Sequence, residues 1–122
     1  MFTLCVKDGF AAAHRIEDYN GKCEDLHGHN FVVEALFTGR ELGRGGMLVD
    51  FAVLKNHLKH VLDRLDHKYI NDIPFFKERA SSSEYMAMYI FGEMKRLVEG
   101  LGLAVKEVRV WESEKAFAAY YE

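Results

Sequence analysis

Residues 23–37 read CEDLHGHNFVVEALF, and the pattern in this stretch decides the fold. Side chains of an extended chain alternate between two faces. From His27 onward one face collects His27, His29, Phe31, Val33, Ala35 and Phe37. The alternation predicts a half-buried strand over 27–38 whose buried face begins with two imidazoles. Upstream, Phe10, Ala12, His14 and Ile16 repeat the pattern. Residues 2–8 and 10–16 therefore predict one strand, or two collinear pieces interrupted at Asp8-Gly9. The polar stretch 17–26, which carries Asn20-Gly21, predicts a loop between them. If the two strands pair, three imidazoles converge on one face.

Beyond Phe37 the glycine-rich run GRELGRGG predicts a turn. Asp50 is a suitable N-cap for a first helix, in which Leu54, Leu58, Val61, Leu62 and Leu65 form one apolar stripe. Residues 66–80, with the single proline Pro74, predict a connection. A second helix starts in SSSEY, capped by Ser81 with Glu84 in a capping box or by Ser82. Met86, Ile90, Met94, Leu97 and Leu101 mark its buried side, and Gly100 or Gly102 ends it. Two last strands fall near 104–112 and 116–121. The fold class is α+β, an antiparallel sheet with helices on one face.

The chain has 122 residues, 49% apolar and 29% charged, enough for one domain with one core over 1–122. Its net charge of −3 offers no basic field for nucleic acid. No apolar run reaches membrane-spanning length, and the N-terminus lacks a signal-peptide pattern. Two cysteines make no disulfide framework, so a reducing, cytoplasmic compartment is expected.

An imidazole buried without a partner is costly, so each histidine on the inner face needs a hydrogen bond or a metal. Three neutral imidazoles from His14, His27 and His29 suit zinc and leave a fourth position for water or substrate. The competing reading is three ordinary half-buried histidines. Gly28 keeps the other face free of a side chain and can admit a bulge. Cys23, four residues before His27, reads equally as a fourth ligand, as a thiolate base or nucleophile, or as a small buried hydrophobe. Cys5, in a plain alternating context, reads as structural, and His57 and His60 as solvated. Asp66 beside His67 suits a proton shuttle, against the plainer reading of a polar loop pair. Glu112 shares a parity with Val108 and Val110, so it is a carboxylate at the mouth of an apolar face that needs a donor partner. A helical H-E-x-x-H of the common zinc proteases is absent.

Taken together, F10-A-A-A-H14, C23-x-x-x-H27-G-H29-N30, G46-M47-x-V49-D50-F51, L65-D66-H67, S81-S-S-E84 with A87-x-Y89-I90, and W111-E112-S113 resemble the 6-pyruvoyl-tetrahydropterin synthase family. That family includes the bacterial 6-carboxytetrahydropterin synthases of queuosine biosynthesis, and the resemblance runs almost the whole chain. It implies the tunnelling fold, a four-stranded antiparallel sheet with two helices on one face. It also implies homohexamers built of two trimers, with active sites at subunit interfaces. It implies a zinc-dependent lyase acting on 7,8-dihydroneopterin triphosphate, with zinc on His14, His27 and His29. Cys23 would be the base, Asp66 and His67 the proton relay, and Glu112 the anchor of the pterin ring. Many members carry Thr-Glu-Asn or Pro-Thr-x-Glu-Asn where this chain has S81-S82-S83-E84-Y85. Hydroxyls of Ser82 or Ser83 keep a pterin contact available, while Tyr85 removes an amide. The short interval from Cys23 to His27 resembles the carboxy-forming branch. The alternatives are the pyruvoyl-forming reaction, or a non-catalytic pterin or purine binder of the same fold.

Overall fold

The computed structural model describes residues 1–17 and 25–122. In chain order the elements are β1 (Phe2–His14), β2 (His27–Gly39), α1 (Phe51–Leu62), α2 (Pro74–Lys77), α3 (Ser83–Leu97), β3 (Ala104–Ser113) and β4 (Ala116–Tyr120). Single 3-10 turns lie at Arg44–Gly46 and Ile70–Asp72. The strands form one antiparallel sheet in the order β1-β2-β3-β4. Helix α1 packs on β1, and α3 covers β3 and β4. The α+β architecture expected from the alternating strands and striped helices is the one observed.

The register of the first pair matters most. Phe10 faces Phe31, Ala12 faces His29, and His14 faces His27. Because side chains repeat every two residues, a slip of one position would send every inner residue to the other face. β1 is one continuous strand that ends at His14, short of the expected residue 16. Gly9 does not break it. A Cβ there would come 2.9 Å from the Phe31 carbonyl oxygen, so the glycine permits close approach of β2.

The core lies between sheet and helices. Phe10, Phe31, Val33 and Phe37 meet Leu54, Leu58, Val61 and Leu62 of α1 and Met86, Ile90 and Met94 of α3, all at most 4% exposed. Burying each such side chain stabilises the fold by about 1.5–3 kcal/mol relative to leaving it in water. Asp50 caps α1, accepting from Ala52 N at 2.8 Å. Of the two candidate caps of α3, Ser82 fills the position, its Oγ accepting from Tyr85 N at 3.2 Å. Helix α3 ends at Leu97; Val98 takes the buried place expected for Leu101, which is 38% exposed. Helix α2 has four residues, too few for periodicity to reveal, and Pro74 starts it.

No irregularity interrupts β1–β2, so Gly28 sits in a regular ladder and not in a bulge. The register shifts lie elsewhere, at Leu36/Phe37 in β2–β3 and between Trp111 and Ser113 in β3–β4. At the second shift Glu112 drops out of the ladder. No helix among the described residues is long and apolar enough to cross a membrane.

Candidate metal centre and active site

The β1–β2 register places His14 directly opposite His27, with His29 two residues further along the same face. The three rings meet edge to face, with centroids 4.5 Å apart for His14–His27, 4.6 Å for His27–His29 and 5.3 Å for His14–His29. Phe31 closes the floor, 5.5 Å from the His14 ring and 5.3 Å from that of His29. The fourth member comes from β3. Glu112 Oε1 lies 3.2 Å from His14 Nε2 and 3.4 Å from His29 Nε2. Glu112 follows Val108 and Val110 on the inner parity of β3, which brings it to the cluster, and the register shift against β4 leaves it without a partner in that strand. One ligand atom from each of His14, His27, His29 and Glu112 falls within 4.8 Å of all the others.

The hydrogen bonds of the rings settle what the cluster can hold. His14 Nδ1 donates to the Ser81 carbonyl at 2.7 Å, and His27 Nδ1 donates to the Asp25 carbonyl at 2.8 Å. A neutral imidazole with its hydrogen on Nδ1 presents a lone pair at Nε2. His14 is 1% exposed, and its Nε2 has no hydrogen bond of acceptable geometry although Glu112 Oε1 is close. Two acceptors facing each other at 3.2 Å, one of them on the buried His14 ring, repel unless a cation stands between them. Ligands at about 2.0–2.1 Å from a tetrahedral metal are roughly 3.3–3.4 Å apart, close to the separations of Glu112 Oε1 from His14 Nε2 and His29 Nε2. Backbone carbonyls that orient ring N–H groups are also the usual outer shell of metal-binding histidines. The donor set, the orphaned nitrogen and the spacing all fit a metal ion.

Asp66 and His67 lie on a strap that runs beside the free edge of β1. Asp66 Oδ1 accepts from Ala11 N at 2.9 Å, and its Oδ2 is 2.9 Å from His67 Nδ1. A carboxylate only accepts, so Nδ1 carries the hydrogen and Nε2 is left to take or give a proton. The Ala11 N–H, and then the His67 ring, hold the Asp66 carboxyl below the ordinary carboxylate range. His67 is 81% exposed. It lines an open groove of about 520 Å³ together with His29, Gly28, Asn30 and residues 11–13. A separate cavity of about 570 Å³ between Phe91, Val98, Leu103 and Val105 holds none of the candidate residues.

Ser82 and Ser83 stand at the start of α3, half-buried, and the Ser82 oxygen is engaged by its cap bond. Cys23 lies outside the described residues. Cys5 is exposed on the outer face of the sheet rather than packed in the core, 4.0 Å from Glu34 Oε2. Burial, and then Glu34, push its thiol pKa up. His60 is exposed and His57 half-buried, both away from the cluster. Sequence reasoning missed the orienting carbonyls of Asp25 and Ser81, since a backbone carbonyl has no residue-type signature. It also missed that Glu112 joins the histidines, for which the shared parity with Val110 was the available signal.

A sheet that presents three imidazoles and a carboxylate at one end, with a paired aspartate and histidine nearby, has the parts of a metal-assisted acid–base enzyme. The family model described as 6-pyruvoyl tetrahydropterin synthase matches residues 3–122. The 6-carboxy-5,6,7,8-tetrahydropterin synthase of Synechocystis is 33% identical over 99% of this chain and 94% of that protein. The 6-pyruvoyl tetrahydrobiopterin synthase of Dictyostelium discoideum is 31% identical over 96% of this chain and 93% of that protein. The structure of Caenorhabditis elegans 6-pyruvoyl tetrahydropterin synthase superposes with a TM-score of 0.84 at 30% identity, covering 99% of this chain and 95% of that one. The chain belongs to the 6-pyruvoyl tetrahydropterin synthase family. It is a lyase of the tetrahydropterin synthase type.

Proposed function

We propose that this chain is a zinc-dependent lyase that converts 7,8-dihydroneopterin triphosphate and one water to 6-carboxy-5,6,7,8-tetrahydropterin, triphosphate and acetaldehyde, for queuosine biosynthesis. The observation that carries the reading is the convergence of His14, His27, His29 and Glu112 around an orphaned, buried Nε2. His14, His27 and His29 would hold the metal, with Glu112 Oε1 at the same point. When bound, zinc supplies a Lewis acid that makes side-chain hydroxyls, and the C–H bonds beside them, easier to ionise.

The remaining chemistry falls to the protein. Cys23 takes a proton from the substrate side chain as triphosphate leaves. His67 moves a second proton through Nε2 while Asp66 holds Nδ1–H and stabilises the imidazolium that forms. Exposure of His67 fits a role completed by a neighbouring subunit, in a homohexamer of two trimers working in the cytoplasm. Glu112 keeps its second oxygen for a substrate N–H, the part of the expected pterin anchor that remains open once Oε1 faces the histidines. Hydroxyls of Ser82 and Ser83 add polar contacts to the ring.

A second reading has one specific support, the relatives named for the pyruvoyl product. Incubation of the zinc-loaded protein with 7,8-dihydroneopterin triphosphate, with product masses and acetaldehyde measured, separates them. A carboxy product with acetaldehyde supports the first reading and a pyruvoyl product the second. No consumption of substrate, where a known family enzyme consumes it, overturns both.

A further inference from the structure

The reading of His14 as a metal ligand leaves a physical problem. His14 is the last residue of β1, and its ladder partner His27 is the first of β2. A ligand at a strand end frays with it, because terminal residues open at low free energy. A metal site needs its ligand held to within a fraction of an ångström.

The strap beside β1 resolves this. Along the outer edge, Ala11 and Ala13 of β1 and Arg15 just beyond it offer backbone N–H and C=O groups. Asp66 Oδ1 accepts from Ala11 N, His67 N donates to the Ala11 carbonyl at 2.6 Å, and Ala13 N donates to the Lys68 carbonyl at 3.1 Å. Tyr69 makes a parallel bridge to Ala13. The chain then curls into the Ile70–Asp72 turn and has no further backbone to offer, and the Asn71 side chain takes over. Asn71 Oδ1 accepts from Arg15 N at 2.9 Å, and its Nδ2 donates to the Arg15 carbonyl at 2.8 Å. One amide thus imitates the paired groups of a strand and carries the ladder one residue past the ligand.

The same Arg15 carbonyl accepts a second bond, from Ser81 Oγ at 3.0 Å. Ser81 is 1% exposed. Its own carbonyl is the acceptor of His14 Nδ1–H. The hydroxyl therefore ties the segment that carries the orienting carbonyl to the residue next to the ligand. The loop Arg15, Ser81, His14 closes on itself through two hydrogen bonds and one peptide bond.

We infer that Asn71 and Ser81 are positioning residues of the metal centre, holding His14 at the end of β1 with its Nε2 lone pair aimed into the cluster. The inference rests on the metal reading of the proposed function. Asn71→Asp keeps the acceptor for Arg15 N but sets a carboxylate oxygen against the Arg15 carbonyl. Ser81→Ala removes the hydroxyl and leaves the buried carbonyl. Each should weaken Co²⁺ and Zn²⁺ binding by about 10-fold or more in competition with a chromophoric chelator, as loss of an outer-shell partner does. Each should also shift the visible Co²⁺ bands, while the metal-free variants still unfold cooperatively. In metal-free wild type, nitrogen NMR of His14 should report the tautomer with hydrogen on Nδ1, a measurement that stands even if a variant fails to fold.

Wild-type affinity and unchanged Co²⁺ bands in both variants, or His14 carrying its hydrogen on Nε2, overturn the inference while the metal site stands. Failure of the wild type to bind one Co²⁺ per chain, or a His14→Ala variant that binds it as tightly, overturns the metal reading and this inference with it.

Discussion

Among the described residues, His67 alone of the non-glycine residues has a positive φ, 58°. The left-handed region costs an L-residue about 1–2 kcal/mol, and glycine avoids this cost. With the side chain 81% exposed, replacing it removes little buried area. Glycine gives back about 0.5–1 kcal/mol through the larger entropy it loses on ordering. Losing the exposed contact to Asp66 offsets part of the gain, so His67→Gly should lie within about 1 kcal/mol of wild type. His67→Asn should be close to neutral, because asparagine tolerates this conformation. His67→Val should lose about 1–2 kcal/mol, as a β-branched side chain does there. Thermal and urea unfolding of the metal-free variants at one protein concentration would give the ranking, with turnover measured beside it. All three lack the ring and should lose turnover. A valine variant as stable as the glycine one would refute the backbone argument, and an active His67→Gly would refute the proton relay.

Asp66 is held below the ordinary carboxylate range. Its contribution to stability is therefore complete above the unfolded pKa and lost as pH falls through the lower folded value. The advantage of wild type over Asp66→Asn should be full at neutral pH and shrink below about pH 4; a difference that grows on acidification contradicts this. Cys23→Ala should retain metal and lose turnover, whereas Cys5→Ser should keep both, with metal content and product formation as readouts. Loss of metal from Cys23→Ala would make that cysteine a ligand. Gly9→Ala places a methyl against the Phe31 carbonyl and should cost about 1–3 kcal/mol in denaturant unfolding; no loss would show that the strands can part there freely. Stripping the metal with a chelator should abolish turnover and lower Tm, since a ligand at 100 times its Kd adds about 2.7 kcal/mol to the folded state.

The strands and both long helices were legible because their signals are local. Alternation at Phe31, Val33, Ala35 and Phe37, and the stripe at Leu54, Leu58, Val61 and Leu62, follow from the geometry of one segment burying one face. The same alternation located three of the four cluster members, since His14, His27 and His29 lie on the inner parity of their strands. Ser81 against Ser82 as the cap of α3 was not decidable from order alone. Both are serine, and what separates them is that the Ser81 hydroxyl is drawn to a carbonyl 66 residues away in sequence.

Residue type and spacing carry periodicity and donor chemistry, which depend on neighbours along the chain, whereas the pairing of β1 with β2 is fixed only when the sheet forms. The approach of Glu112 to the histidines depends on the register of β3 against β2, which sets Val110 opposite Val33 and so lays the inner face of β3 beside that of β2. The tautomer of His14 depends on a carbonyl from the start of α3, and the hold on Arg15 on an amide from the strap. Such contacts join segments whose separation in the chain carries no periodic trace, so packing of the whole sheet and its helices decides them.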